Sequence, residues 1–431
     1  MMLQDGSTQL LCLTASSGVP LFTRGASKQL PFSVIGSLNG VHMFGGGQGV
    51  TLSSCETEGG GMVVWRVFQD SVMLIAVNGG GRGGSKVEEV RLQRLLENVW
   101  NCLVLVLGQD ELANVRNVER LKRDLRSCFC LIDQLLEEKQ EGILGNLTHC
   151  ADSLLPPNPA LLQEAVDGFA QAADSEFGCL IVHGRIAAAT EKWWRLAPQE
   201  VVLLSALMRS LSASGSASCD YPVFLPQGSP TVAHRLLRFQ LLHGVDVCVL
   251  CGPTPSLHRA ESGLVGPVWT PLAETLRDCL AVGERCLPGS VSLRPDVLAL
   301  LLMNRETRRS VCCVRTPTNL PPGDPQLPSK SRCWELLKVF YIFSTTRYFT
   351  QEETLIVPPE AKAQRDNTED FVLGFTHQPQ QCYLVTEECK SFGLQTPQHQ
   401  LFLLVPLSVP TFAIRTVATQ TLSAIVSATG F

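Results

Sequence analysis

The stretch that most resembles a ligand-binding motif is glycine-rich and runs from Gly79 to Lys86. It follows a predicted strand and opens a predicted helix, as a phosphate-binding P-loop does. A P-loop needs Lys and then Ser or Thr after its last glycine, so that the lysine reaches the phosphates and the hydroxyl reaches Mg²⁺. Here Ser85 precedes Lys86, and the flanking strands are predicted to be antiparallel. We therefore favour a flexible loop and keep nucleotide binding as an alternative.

The cysteines do not predict a metal site. Cys248 and Cys251 have the CxxC spacing, but on a strand residues i and i+3 point to opposite faces and cannot share a zinc ion. The chain has 17 cysteines, an odd number, and their spacing suggests no disulfide framework. Many lie in apolar runs, which is typical of free thiols that act as small core side chains. This pattern favours a reducing, cytoplasmic compartment.

Other chemistry is not predicted either. The sequence contains no GxSxG or HExxH motif, and its histidines have no carboxylate at a fixed local spacing. The net charge of −5 gives no basic excess for binding nucleic acid. No signal peptide or membrane-spanning run is apparent. We therefore expect no enzyme, cofactor, metal site or nucleic-acid partner.

The order of predicted elements is more informative than any motif. A hairpin, an apolar segment, three strands and two amphipathic helices follow one another in the first 140 or so residues, giving the order ββαβββαα. The corresponding segments are 8–16, 19–25, 30–44, 50–57, 62–69, 71–78, a helix from Ser85 to Gly108 and a helix from Asp110 to Gly142. This order predicts a small antiparallel sheet with helices packed on it.

The same order begins again near residue 176 and, less clearly, near residue 309, which agrees with about three domains in 431 residues. We predict a first domain at 1–150, a linker helix at 151–175, a second domain at 176–306 and a third at 307–431. Residues 272–287 and 297–303 are predicted to close the second domain as helices, and residues 371–376 are predicted to form a strand of the third. The fold class is α+β.

Particular stretches narrow the choice of family. They are LLCL at 10–13, SSGVPLF at 16–22, the whole of 30–44, RNVERLK at 116–122, AATEKWWRL at 188–196, DYPV at 220–223 and GSPTV at 228–232. Together they resemble the Fuzzy family of planar cell polarity effectors, a branch of the tri-longin proteins. The resemblance covers about the first 255 residues well and the remainder loosely.

This resemblance implies three tandem longin-like domains, each a five-stranded antiparallel sheet flanked by helices. It implies pairing with an Inturned-like longin subunit, and assembly with a WD-repeat planar polarity effector at the ciliary basal body, a part of the cytoskeleton. The expected clients are Rab-like small GTPases, one of them linked to Hedgehog signalling. Related longin pairs promote nucleotide exchange on Rabs and touch phosphoinositide membranes. Exchange needs no catalytic side chain, because it depends on stabilising the nucleotide-free GTPase.

The apolar segment 30–44 is our predicted partner contact, with Phe32, Leu38, Val41 and Phe44 as anchors. Gly36 and Gly40 make it a poor helix in isolation, so docking could order it. The alternative is that these apolar residues only cover the sheet.

Two further features have both a functional and a structural interpretation. Arg120, Lys122, Arg123 and Arg126 form a basic helix face, which is either solvated or a contact for anionic lipid or an acidic partner. The pair Trp193-Trp194 is either a membrane-interface or partner hot spot or a cap on the second core, and we favour the cap.

The leading hypothesis is therefore a non-enzymatic scaffold subunit that binds small GTPases in cilium assembly and planar cell polarity. A membrane-trafficking adaptor without exchange activity and a P-loop-like nucleotide-binding protein are the alternatives.

Overall fold

The structure is a computed structural model, and it describes residues 8–25, 30–79, 85–136, 143–213, 215–315, 327–349 and 379–431. The chain forms two compact units, Met1–Gly289 and Ser290–Phe431. The first unit contains two five-stranded sheets and the second unit contains a third sheet, all paired antiparallel and flanked by helices. The predicted α+β class is confirmed. Within the described ranges, no helix is long and apolar enough to cross a membrane.

The first sheet has the strand order β2-β1-β5-β4-β3. Its strands are β1 (Thr8–Thr14), β2 (Pro20–Gly25), β3 (Ser54–Glu56), β4 (Met62–Phe68) and β5 (Val72–Asn78). Leu10 and Cys12 of β1 face one core cluster, whereas Leu11 and Leu13 face another. A strand buried on both faces reads as a continuous apolar run, which explains why the hairpin was recognisable in the sequence.

Helices cover both faces of this sheet. They are α1 (Phe32–Gly47), α2 (Ser85–Leu107), α3 (Gln109–Ala113), α4 (Val118–Asp124), a 3₁₀ turn (Leu125–Cys128), α5 (Phe129–Leu136) and α6 (Gly145–Thr148). The prediction of one continuous helix from Asp110 was wrong. The chain leaves the helix after Ala113, and the Asn117 side chain accepts a hydrogen bond from the backbone N–H of Arg120 at 3.0 Å, which starts α4 afresh.

The second sheet has the order β8-β7-β11-β10-β9. The elements of this part are β6 (Ala151–Asp152), α7 (Pro159–Ala172), β7 (Phe177–Val182), β8 (Arg185–Ala189), α8 (Glu191–Trp194), α9 (Pro198–Ala213), β9 (Ser218–Leu225), β10 (Ser229–Leu242), β11 (Val245–Cys251), α10 (Leu257–Ala260), a π turn (Glu261–Val265), α11 (Gly266–Trp269), 3₁₀ turns (Thr270–Leu272 and Gly283–Arg285) and α12 (Ala273–Val282). Cys248 and Cys251 pack into different clusters on the two faces, as the strand geometry predicts.

The first two sheets share one layer of helices. Helix α2 contacts β4 of the first sheet. It also contacts β9, a strand of the second sheet, and α9, a helix that flanks that sheet. The Asn101 amide donates to Gln199 Oε1 at 3.0 Å, and the Ser210 hydroxyl donates to Cys130 Sγ at 3.0 Å. Trp193 is completely buried in a core cluster that includes residues of α2 and α9, and Trp194 packs against it, which agrees with the predicted cap.

The second unit contains a sheet with the order β14-β15-β16-β12-β13. Its elements are β12 (Ala299–Asn304), β13 (Arg309–Val314), α13 (Lys330–Arg347), β14 (Gln381–Val385), β15 (Lys390–Gln395), β16 (His399–Val405) and α14 (Thr411–Thr429). Phe340, Tyr341 and Phe349 surround Phe402, with ring centroids 6.0, 5.3 and 5.9 Å away, respectively.

The predicted helix at 297–303 was wrong, because Ala299–Asn304 is a strand between β13 and β16. A short apolar run buried on both faces cannot be assigned to helix or strand by periodicity alone. The β12–β13 hairpin spans residues 306 and 307, so a boundary there would divide a hydrogen-bonded pair of strands.

Strand β15 was missed in the sequence. It contains Gly393, and a β-carbon there would lie 2.5 Å from Cys382 Sγ and 2.9 Å from the Phe349 ring, so packing selects the glycine. The predicted strand at 371–376 lies outside the described residues.

Candidate partner-binding surface

Helix α1 is fixed to the first sheet along one side. Ile35 is buried, and Val34 and Leu38 pack against the same cluster as Leu11 and Leu13. The indole N–H of Trp65 donates to the backbone oxygen of Leu38 at 3.2 Å. Of the four predicted anchors, Leu38 is therefore the one that faces the sheet.

The opposite side of α1 is apolar and exposed. The exposed fractions are 79% for Phe32, 56% for Val41, 53% for Met43 and 71% for Phe44. We call these four residues the α1 outer face. Met43 was not singled out in the sequence, although its position 11 residues after Phe32, about three helical turns, places both on one side. Clusters of exposed apolar side chains mark interaction sites more often than isolated ones do.

Glycines occupy the middle of this face. At 3.6 residues per turn, Gly36, Gly40 and Gly47 lie between the Phe32–Met43 side and the Val41–Phe44 side. A β-carbon added at any of the three would meet no atom within 4 Å. Gly36 and Gly40 lie inside the helix, where each glycine costs about 1 kcal/mol relative to alanine. No packing within the described chain explains these glycines, whereas a glycine surface does allow another backbone to approach closely.

The equivalent helices of the other two sheets bury most of their apolar side chains. Helix α9 also follows the second strand of its sheet, and all eight of its residues from Val201 to Met208 are buried. Helix α13 buries most of its apolar side chains, Trp334, Leu337 and Phe340 among them. Among the described parts of these three helices, α1 alone combines several large exposed apolar side chains.

The first sheet ends in an edge strand at β3. Strand β3 is the last strand of the sheet order and pairs only with β4 within the described residues. Val50 lies in the segment that joins α1 to β3. Its side chain is exposed, and its backbone N–H donates a hydrogen bond to the backbone oxygen of Gly45 at 2.9 Å. An edge strand has unpaired backbone groups that can bind a partner strand. The α1 outer face and the β3 edge are therefore two candidate contact surfaces of the first domain.

The predicted basic face lies on α4 and the 3₁₀ turn. Its ion pairs are Arg120 with Glu111 (3.5 Å) and Asp124 (3.4 Å), Lys122 with Glu119 (2.8 Å), and Arg123 with Asp124 (3.7 Å). These three carboxylates balance much of the positive charge of Arg120, Lys122, Arg123 and Arg126. Contact with anionic lipid or an acidic partner stays a prediction.

The structure adds no residues to the other two candidate sites, which are the glycine-rich loop and a metal site. Positions 80–84 of the glycine-rich stretch lie outside the described residues, so the loop between Gly79 and Lys86 is not characterised. In the part of the chain that the structure describes, no group of three or more His, Cys, Asp or Glu side chains could hold a metal ion.

Comparison with known proteins gives the family. Residues 8–135, 173–264 and 296–429 match the first, second and third longin domain of FUZ, MON1 and HPS1, respectively. The chain is 47% identical to a protein fuzzy homolog from Xenopus tropicalis, covering 98% of both chains. The chain belongs to the Fuzzy family. It is also 45% identical to the protein fuzzy homolog of Homo sapiens, over 97% of both chains.

Membership of the Fuzzy family confirms the fold prediction of three tandem longin domains. It supports a scaffold role of the longin type, since the family is not a known catalytic one. The two matches at 8–135 and 173–264 fall in the first compact unit, and the match at 296–429 falls in the second.

Proposed function

We propose that this chain is a non-enzymatic scaffold subunit that pairs with an Inturned-like longin subunit through the α1 outer face and the β3 edge. The observation that carries the proposal is the exposure of Phe32, Val41, Met43 and Phe44 around a line of glycines. Burying a Phe side chain is worth about 1.5–3 kcal/mol, so removing Phe32 and Phe44 together should weaken pairing measurably. The glycines would let the partner helix lie close to α1.

The pair would then bind a Rab-like small GTPase, join a WD-repeat planar polarity effector, and act at the ciliary basal body in cilium assembly and planar cell polarity. This chain needs no catalytic residue for that role. Nucleotide exchange follows if the pair binds the nucleotide-free GTPase more tightly than the loaded form. A phosphoinositide surface could meet the pair through the basic side chains of α4.

The test is co-expression with an Inturned-type subunit, followed by size-exclusion chromatography with light scattering. We expect a one-to-one complex that is lost in the double variant Phe32→Ser/Phe44→Ser. The matched control is Phe412→Ser, which removes an equally prominent aromatic side chain, 88% exposed, from α14 of the second unit. Failure of the unmodified chains to pair, or equal loss with the control, would overturn the proposed interface.

The purified pair is then tested for capture of nucleotide-free and GTP-loaded Rab-like GTPases. Preference for the nucleotide-free form indicates an exchange factor, and preference for the GTP form indicates an effector platform. A stable pair that captures neither form would refute the GTPase role and favour the trafficking adaptor.

A further inference from the structure

The α1 outer face carries no charged side chain. No Asp, Glu, Lys or Arg occurs from Gln29 to Cys55, although these four types make up 17% of the whole chain. His42 follows the buried Ile35 by two helical turns, so it lies on the side of α1 that faces the sheet. An uncharged surface offers no counter-charge to a charged group that loses its water on docking, so it favours a partner surface that is uncharged too. The same face of a second copy of this chain meets that condition.

The spacing of large and small residues along α1 is self-complementary. Phe44 lies four residues after Gly40, whereas Gly36 and Ser37 lie four and three residues before it. Two antiparallel α1 helices that cross at Gly40 meet at equal distances on either side of that residue, as two-fold symmetry requires. The Phe44 ring of each copy then lies opposite Gly36 and Ser37 of the other. Both small residues are exposed, and there is open space where a side chain of Gly36 would be.

The crossing also suits the polar group that it covers. The Ser37 hydroxyl donates to the backbone oxygen of Ser33 at 2.9 Å, within the helix itself. A ring can therefore cover this hydroxyl without breaking its hydrogen bond. Phe32 lies eight residues before Gly40, and Gly47 lies seven residues after it, so these two residues also meet across the crossing. Both aromatic rings of each copy thus face a glycine of the other.

We propose that the free chain forms a homodimer through two antiparallel α1 helices that cross at Gly40. One helix crossing is a small interface beside the roughly 1,200 Å² of stable complexes, so the dimer should dissociate on dilution. The same face is assigned to the Inturned-like subunit, so the homodimer competes with that pairing. As a regulator of pairing the homodimer rests on the proposed function, whereas self-association itself needs only the α1 outer face.

Sedimentation velocity of the full chain over a wide range of concentration tests the self-association. We expect a monomer–dimer equilibrium. Phe44→Ser should raise its dissociation constant about a hundredfold or more, because each dimer loses two buried rings. Phe412→Ser removes an exposed aromatic side chain from the second unit and should leave the equilibrium unchanged. A chain that is monomeric at every concentration, or a dimer that Phe44→Ser does not weaken, would overturn the proposal.

Cross-linking tests the antiparallel crossing. The variants are made in a Cys55→Ser/Cys130→Ser background, which removes the two exposed thiols of the described residues. Gly40→Cys places two thiols at the crossing point, so mild oxidation by copper–phenanthroline should link the copies. The matched control is Gly47→Cys, which separates the thiols by about 21 Å along the helices, beyond the reach of a disulfide. Both glycines have open space around them. Equal cross-linking at the two positions would refute the antiparallel crossing.

Adding the Inturned-type subunit separates this inference from the proposed function. We expect the homodimer to convert into the one-to-one complex, and we expect the cross-linked Gly40→Cys dimer to pair only after reduction. A chain that self-associates but never pairs would refute the proposed function and leave the homodimer standing. A cross-linked dimer that still binds the subunit would overturn the competition between the two.

Discussion

The backbone of Gly108 lies against the ring of Phe224. A β-carbon at position 108 would fall 2.9 Å from Cε1 of Phe224. Gly108 ends α2 with φ 81° and ψ 155°, a backbone conformation that is essentially limited to glycine. Phe224 belongs to β9, the edge strand of the second sheet. The long helix of the first longin domain therefore ends in direct contact with the sheet of the second.

Replacing Gly108 by alanine should lower the free energy of unfolding by about 1–3 kcal/mol from backbone strain, with a further loss from the clash with Phe224. The measurement is the midpoint of urea unfolding. Gly168→Ala is the control, since this glycine lies inside α7 with open space around it and the alanine should be neutral or stabilising. A Gly108→Ala variant as stable as the wild type would contradict the close contact.

Arg238 and Asp246 form an ion pair inside the second sheet. Arg238 is completely buried, its Nε donates to Asp246 Oδ1 at 3.0 Å, and the Ser212 hydroxyl donates to the same carboxylate at 2.7 Å. Arg238→Met should destabilise by about 3–5 kcal/mol, because it leaves the aspartate buried without a counter-charge. The double variant Arg238→Met/Asp246→Leu should recover much of this loss in urea unfolding. A double variant as unstable as the sum of the single variants would show that the two side chains do not interact.

The glycines of α1 should have opposite effects on stability and on pairing. Gly36→Ala and Gly40→Ala each remove a flexible residue from a helix with open space around it, so each should raise stability by up to about 1 kcal/mol. If a partner helix packs on this line, the same changes should weaken the complex with the Inturned-type subunit. Thermal unfolding measures the first effect, and light scattering of the co-expressed pair measures the second. Stable, fully paired double variants would argue against close approach at this face.

His183 should make the first unit less stable in mild acid. Burial, together with the positive charges of Arg185 and His243, lowers the pKa of His183 below its ordinary value of 6.5. Protonation then favours the unfolded state, so stability is full above about pH 6.5 and falls as the pH drops from there towards the folded pKa. His183 has a φ of 47°, which asparagine tolerates. The fall in melting temperature between pH 7.5 and 5.5 should be smaller for His183→Asn than for the wild type, and an equal fall would assign it to other groups.

The cysteines should differ sharply in reactivity. Cys12, Cys102 and Cys128 are buried together, and burial raises the pKa of each thiol, that of Cys128 to about 12. The thiolate is the reactive form, so these residues should resist alkylation in the native protein. Cys55 and Cys130 are exposed and should be labelled first by N-ethylmaleimide at pH 7.5. Peptide mass spectrometry reads the order, and early labelling of Cys12 would contradict its burial.

The sequence by itself determined the local character of most elements. The β1–β2 and β10–β11 hairpins, α2, α7, α9 and the terminal helix follow from apolar periodicity, turn glycines and capping residues, all of which act over a few positions. It also predicted that Cys248 and Cys251 point apart, since the two-residue period of a strand decides that without any tertiary contact.

Tertiary structure decided the rest. The run at 299–304 is a strand because β13 and β16 flank it, and Gly393 fits β15 because Cys382 and Phe349 fill the space beside it. The sequence has apolar residues on both α1 and α9. Tertiary packing buries those of α9 in the helix layer shared by the first two sheets, and it leaves Phe32 and Phe44 of α1 exposed to solvent. An apolar side chain in the sequence indicates only that burying it lowers the free energy. Which surface buries it depends on residues far away in the chain, and those meet only when the whole domain folds.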